Sequence, residues 1–123
     1  MLLDTFAWVE FFRGTKKGVK VKKFLIESQC FTCAISLAEL NYWIMKEKLD
    51  ENKIITAVKS MSAVISLDNS VLEFAGKLNY LRKQQDKNFG MVDAIILAVS
   101  KSYGLPVVTG DRHFEKEKGT IML

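Results

Sequence analysis

The chain has 123 residues, 49% hydrophobic and 26% charged, with 18 basic and 14 acidic groups for a net charge of +4. That is the size and composition of one compact globular domain with a real core, here read as a single domain over residues 1–123. It excludes a disordered polyelectrolyte, and the longest uncharged apolar run, 94–100, is far short of the ~20 residues of a bilayer span, so no membrane partner is expected.

The start, MLLDTFAWVEFF, is apolar but has no basic leader and carries Asp4 and Glu10, so it is read as cytoplasmic and mature. MLL reads as a short buried strand ended by Asp4. TFAWVEFFR turns helical and stops near Gly14. KKGVKVKKFLIES has helical apolar spacing at Val21, Phe24 and Leu25. Between Arg13 and Lys23 stand six basic residues (Arg13, Lys16, Lys17, Lys20, Lys22, Lys23) and no acid. The stretch reads either as a solvated helix face or as a surface for a phosphate backbone.

CFTCAI is a strand. Its Cys30 and Cys33 are three apart and point to opposite faces, so neither a disulfide nor a shared metal is expected, and both are read as buried free thiols. SLAELNYWIMKEK is a helix with Leu37, Leu40 and Ile44 on one side, and Ser36 and Glu39 at its start have capping-box spacing. ENKIITAVKSM repeats the pattern at Ile54, Ile55 and Val58. AVISL is a strand, and Asp68 caps the long amphipathic helix that follows it.

After a turn around residues 88–90, MVDAIILAVSKSY forms an apolar helix stopped by Gly104. LPVVT is a strand, GDRHFEKEKG a turn or short helix, and TIML a last strand. Short continuous apolar strands alternating with helices predict a parallel sheet buried on both faces: a three-layer α/β/α sandwich of four or five strands.

In such sheets, sites form beyond the carboxyl ends of the strands, where strand order reverses. Asp4, Glu39, Asp93 and Asp111 are all placed near that edge, as is Asp68. Singly, each is accounted for as a helix cap or dipole partner. Together they are not, because converging carboxylates repel unless a cation lies between them. Hard divalent ions such as Mg²⁺ take oxygen ligands, and three or four carboxylates suit one or two of them. With those four acids set aside from the 14, the remainder of the chain carries a surplus of +8. An acidic pit in a basic surround suits a polyanionic partner.

LLDTFAWVEFF at the start, ISLAEL, and VDAIILAVSKSYGLPVVTGDRHFE near the end resemble, in order and spacing over essentially the whole chain, the PIN-domain nucleases. More closely they resemble the VapC-type toxins of prokaryotic type II toxin–antitoxin modules. The resemblance implies a PIN-like fold and an endoribonuclease that depends on Mg²⁺ or Mn²⁺, one or two ions, and uses metal-activated water. It maps the metal-binding acids onto Asp4, Glu39, Asp93 and Asp111, and the supporting hydroxyls onto Thr5 and Thr109. It implies an RNA substrate, a cognate antitoxin protein as partner, and a homodimer.

Arg13, Lys16, Lys17, Arg82, Lys83 and Arg112 are candidate phosphate contacts. Many relatives carry an aspartate just before the phenylalanine of the last motif, where this chain has His113, and Glu115 is a candidate to supply the missing charge. Asp68 matches no catalytic position and is left as a cap. Trp8, Phe11, Phe12, Tyr42 and Trp43 are read as core, with a dimer or antitoxin surface as the alternative.

Three other readings compete. A phosphoacceptor receiver domain would need a second acid beside Asp4, where Thr5 and Phe6 stand, and a lysine before a proline after its last strand. Pro106 instead opens a strand. A non-catalytic RNA-binding scaffold would make the four acids dispensable. A housekeeping RNA-processing nuclease shares the chemistry but lacks the antitoxin.

Overall fold

A computed structural model describes all residues 1–123. The elements run β1 (Leu2–Leu3), α1 (Thr5–Arg13), α2 (Lys16–Glu27), β2 (Phe31–Cys33), α3 (Ala34–Lys46), α4 (Glu51–Met61), β3 (Ala63–Ile65), α5 (Asn69–Lys83), α6 (Met91–Tyr103), β4 (Val107–Thr109), a 3₁₀ turn (Arg112–Phe114) and β5 (Ile121–Met122). The five strands form one sheet in the order β3-β2-β1-β4-β5, and every pairing is parallel. This is the predicted three-layer α/β/α architecture. No helix is long and apolar enough to cross a membrane.

Strand alternation divides the core in two. Leu2 of β1, Cys33 of β2, Ile65 of β3 and Val107 of β4 face α5 and α6, packing with Val71, Leu78, Phe89 and Ile96. Leu3 and Val108 face the other way, onto Ala7, Trp8, Val21, Leu40 and Val58 from α1 to α4. Cys30 belongs to this second cluster and Cys33 to the first, and both are free thiols, as their spacing predicts. Trp8, fully buried, donates its indole N–H to the Thr32 hydroxyl at 3.0 Å, so the largest core side chain leaves no polar atom unpaired. Phe11, Phe12 and Trp43 pack against the same cluster, whereas Tyr42 is exposed.

Helix ends follow local chemistry. Gly14 and Gly104 take left-handed backbone at the C-termini of α1 and α6, where a Cβ is disfavoured. Asp50 and Asp68 accept the backbone N–H of Lys53 and Val71 as N-caps of α4 and α5. Gly18 lies against α1 so closely that a Cβ there would overlap the Glu10 carbonyl, which sets how near α2 packs to α1.

The strands are shorter than their apolar runs. β2 stops at Cys33 because α3 begins at Ala34, two residues ahead of the expected cap. The Ser36–Glu39 capping box therefore does not form. Ser36 is inside the helix, fully buried, with an Oγ that has no hydrogen-bond partner. Glu39 moves from the first turn of the helix to the second.

Candidate active site

Strand order reverses between β1, the central strand, and its neighbour β4, so the crevice beyond their carboxyl ends is the switch point of this sheet. A cleft of about 570 Å³ opens there, lined by Asp4, Thr5, Glu39, Asp93, Asp111 and Arg112 among polar residues, with Phe6, Val92, Ile96 and Phe114 as apolar wall. All four predicted acids thus meet at one cleft, from four separate segments.

Asp4 follows β1 directly. Its Oδ1 accepts the Ala7 N–H at 2.8 Å and caps α1, while its Oδ2 accepts the hydroxyl of Thr109, the last residue of β4. The same Thr109 oxygen accepts the Asp111 N–H at 2.9 Å. Asp111 in turn caps the 3₁₀ turn by accepting the His113 N–H at 2.9 Å. Capping therefore does not take Asp4 out of the cleft: one of its oxygens holds backbone and the other faces Thr109.

Glu39 accepts the Thr5 hydroxyl at 2.6 Å, which ties the second turn of α3 to the first residue of α1. Asp93, at the first turn of α6, accepts the Gly90 N–H at 3.0 Å. Its carboxylate sits in a helix whose next six residues, Ala94 to Val99, are all buried. That run makes α6 a rigid wall and leaves its first turn facing the cleft.

The electrostatics of the cleft are unbalanced. Burial pushes the Asp4 carboxyl up to about 7, against the lowering effect of the Thr109 and Ala7 hydrogen bonds. The charges that act on it, Asp111 and Glu39, are both negative and raise it further. Asp4 is thus a buried carboxylate among like charges, with two hydrogen-bond donors directed at it.

His113, which lines the adjoining hollow rather than the cleft itself, reaches two of the acids, Asp93 and Asp111, a placement its sequence context did not announce. Its Nδ1 is 2.9 Å from Asp93 Oδ2 and 3.4 Å from Asp111 Oδ1, and ligand atoms of these three residues lie within 4.8 Å of one another. The only signal in the sequence is the place of the histidine, two residues after Asp111. Glu115 is exposed and lines a separate hollow with Arg82 and Asp86, outside the acidic cleft.

The basic candidates are dispersed. Arg112 forms part of the cleft wall, and Lys17 Nζ stands 5.2 Å above the ring of Phe6, another wall residue. Lys16 is exposed at the start of α2. Arg13 pairs with Glu47 at 3.7 Å, in a different hollow beside Trp43. Arg82 is held by both oxygens of Glu117, with Nη2 3.1 Å from Oε2, and Lys83 Nζ donates to the Lys87 carbonyl at 3.3 Å.

The sequence profile of the PIN domain matches residues 1–118. The chain belongs to the PIN-domain family. No curated protein sequence matches it significantly. Solved structures similar to this PIN domain include a toxin–antitoxin complex from Klebsiella pneumoniae, with 23% identity, coverage of 98% of this chain and 95% of that one, and a TM-score of 0.78. VapBC2 from Rickettsia felis, bound to a DNA fragment from their promoter, has 18% identity, coverage of 99% and 96%, and a TM-score of 0.74. The Sarcin-Ricin loop cleaving toxin VapC20 of Mycobacterium tuberculosis has 17% identity, coverage of 99% and 97%, and a TM-score of 0.73. At these identities the likeness is one of fold.

Proposed function

We propose that this PIN domain is a metal-dependent endoribonuclease, the VapC-type toxin of a cytoplasmic toxin–antitoxin pair, acting as a homodimer. The observation that carries the reading is the convergence of Asp4, Glu39, Asp93 and Asp111 on the cleft at the β1–β4 switch point, with Asp4 buried among like charges. The proposed antitoxin partner is supported by the fold likeness to the Klebsiella toxin–antitoxin complex and to VapBC2.

The donor set fits a hard divalent cation. Carboxylates dominate it, and the Thr109 and Ala7 donors to Asp4 favour the ionised form that a metal requires. Asp4, Asp93 and Asp111 would hold Mg²⁺ or Mn²⁺, with Glu39 as a further ligand or as the group that orients the attacking water. When bound, the ion supplies Lewis-acid chemistry: it acidifies water and draws charge from a phosphoryl oxygen.

The remaining residues position and screen. Thr5 fixes one oxygen of Glu39 and leaves the other for the water. Thr109 holds Asp4 and the backbone of Asp111 together, so the two strand-end acids keep their separation. Arg112, in the cleft wall, and Lys17, over the wall residue Phe6, would take the phosphates that flank the scissile bond, with Lys16 further out. Arg13, Arg82 and Lys83 would serve only an RNA long enough to leave the cleft, and Arg13 and Arg82 would first have to exchange a carboxylate for a phosphate.

The test is incubation of the purified protein with mixed cellular RNA, with Mg²⁺ or with EDTA, and mapping of the ends produced. Discrete new ends that disappear with EDTA are expected. Cleavage indifferent to EDTA, or equal in Asp93→Asn, would refute the metal-site assignment.

A further inference from the structure

The all-carboxylate site proposed above has a neighbour that it does not use. His113 is held on three sides: Nδ1 towards Asp93 and Asp111, Nε2 3.7 Å from Asp86 Oδ2, and the ring against Phe89 with centroids 6.1 Å apart. Phe89 is 1% exposed and belongs to the α5–α6 core, so the imidazole lies beside fixed structure, its ring tilted 55° to that of Phe89.

This arrangement is the one that metal-binding histidines adopt. One ring nitrogen is directed at acidic ligands, and the other faces a carboxylate whose charge favours the proton on that nitrogen and so biases the tautomer. Asp86 has that second position, 3.7 Å from Nε2, as an electrostatic neighbour beyond hydrogen-bond distance. It lies in the turn between α5 and α6, where its own Oδ1 accepts the Asn88 N–H at 2.9 Å, so it is oriented independently of the imidazole. A divalent ion is a species that can join an imidazole nitrogen to two carboxylates at this spacing.

From this geometry, and resting on the metal-centre reading above, we infer that His113 is a nitrogen ligand of the ion held by Asp93 and Asp111. Asp86 is its positioning residue, and together they turn an oxygen site into one that prefers Mn²⁺ over Mg²⁺. The chemistry is that of ligand softness. Mg²⁺ takes oxygen almost exclusively and keeps its waters, whereas Mn²⁺ accepts imidazole.

The deciding measurement is the electron spin-echo modulation of Mn²⁺ added to the whole protein. Nitrogen coupling from a directly bound imidazole is expected in wild type and absent in His113→Gln. Titration should show Mn²⁺ affinity falling about 10-fold or more in His113→Gln, with Mg²⁺ affinity changed about 2-fold or less. Asp86→Asn should weaken Mn²⁺ about 10-fold while the nitrogen coupling persists, an effect that loss of a mere surface charge would not confine to Mn²⁺. His113→Asp should shift the preference towards Mg²⁺. Mn²⁺ that binds wild type at full occupancy, is lost with Asp111→Asn, and shows no nitrogen coupling would overturn the role of His113 and leave the carboxylate centre standing. Failure of Mn²⁺ to bind wild type at all would overturn both.

Discussion

Thr109 donates its hydroxyl to Asp4 across the β1–β4 junction, joining residues 105 positions apart in the chain. Both residues are buried, so the bond lies where solvent cannot replace it. Because the same oxygen accepts the Asp111 N–H, one hydroxyl sets the spacing of two candidate ligands.

Thr109→Val keeps the shape of the side chain and removes both interactions. Leaving a buried carboxylate oxygen without its donor costs about 1–3 kcal/mol, to be read from urea denaturation. The loss should be larger at pH 8, where Asp4 is ionised, than at pH 6. Equal losses at the two pH values would show that the hydroxyl does not act through the Asp4 charge.

Asp4 itself makes stability depend on pH. Its carboxyl is raised from 3.8 to about 7, so between those values the native state holds a proton that the unfolded chain has released. Stability then falls as pH rises through this window: the contribution is complete below about pH 4 and gone above about pH 7. The full span is on the order of 4 kcal/mol. Asp4→Asn should flatten that part of the profile in thermal melts from pH 4 to pH 8. Mn²⁺, competing with the proton, should raise the melting temperature more at pH 8 than at pH 6. A profile in Asp4→Asn as steep as wild type would assign the slope to other groups.

Asp93→Asn retains an oxygen for the Gly90 N–H and should leave the fold intact. RNA binding is expected to survive, while Mg²⁺-dependent cleavage falls at least ~100-fold, the order of losing one charge-stabilising group. Parallel gel-shift and cleavage assays on one RNA separate the two effects.

Gly18→Ala tests the fold away from the chemistry. The new methyl meets the Glu10 backbone, which cannot rotate aside, so α2 must move off α1. A destabilisation of about 3 kcal/mol is expected from chemical denaturation, with the α5–α6 face unaffected in hydrogen exchange.

How much of this was legible in the residues differs by element. The apolar runs at Leu2–Leu3, Val107–Val108 and Ala94–Val99 announce buried strands and a buried helix, because a parallel sheet needs apolar groups on both faces. The cap at Asp68 follows from the residue type and the helix that follows it. Ser36 misled because a cap is decided by where the chain leaves the sheet, and β2 ends at Cys33 under the control of its neighbours β1 and β3. Glu39 remains at the cleft even so, since moving the helix start changes the turn it occupies and not the edge it faces. The pairing of Arg82 with Glu117 joins residues 35 apart, and the contacts of His113 with Asp86 and Asp93 depend on the path of a turn. Neither has a local signature. Convergence of the acids could be inferred from topology, but the distances between their oxygens could not.

The two-residue strand β1 sits at the middle of the sheet, flanked on one side by β2 and on the other by β4. During synthesis, residues 2–4 emerge well before the strand that completes their pairing, which lies more than a hundred residues later. Until Val107–Thr109 has docked, Asp4 has no Thr109 donor and no Asp111 beside it. On the proposed activity, no cleavage centre is assembled before β4 has docked beside β1, so hydrolytic competence waits on the pairing of two strands far apart in the chain.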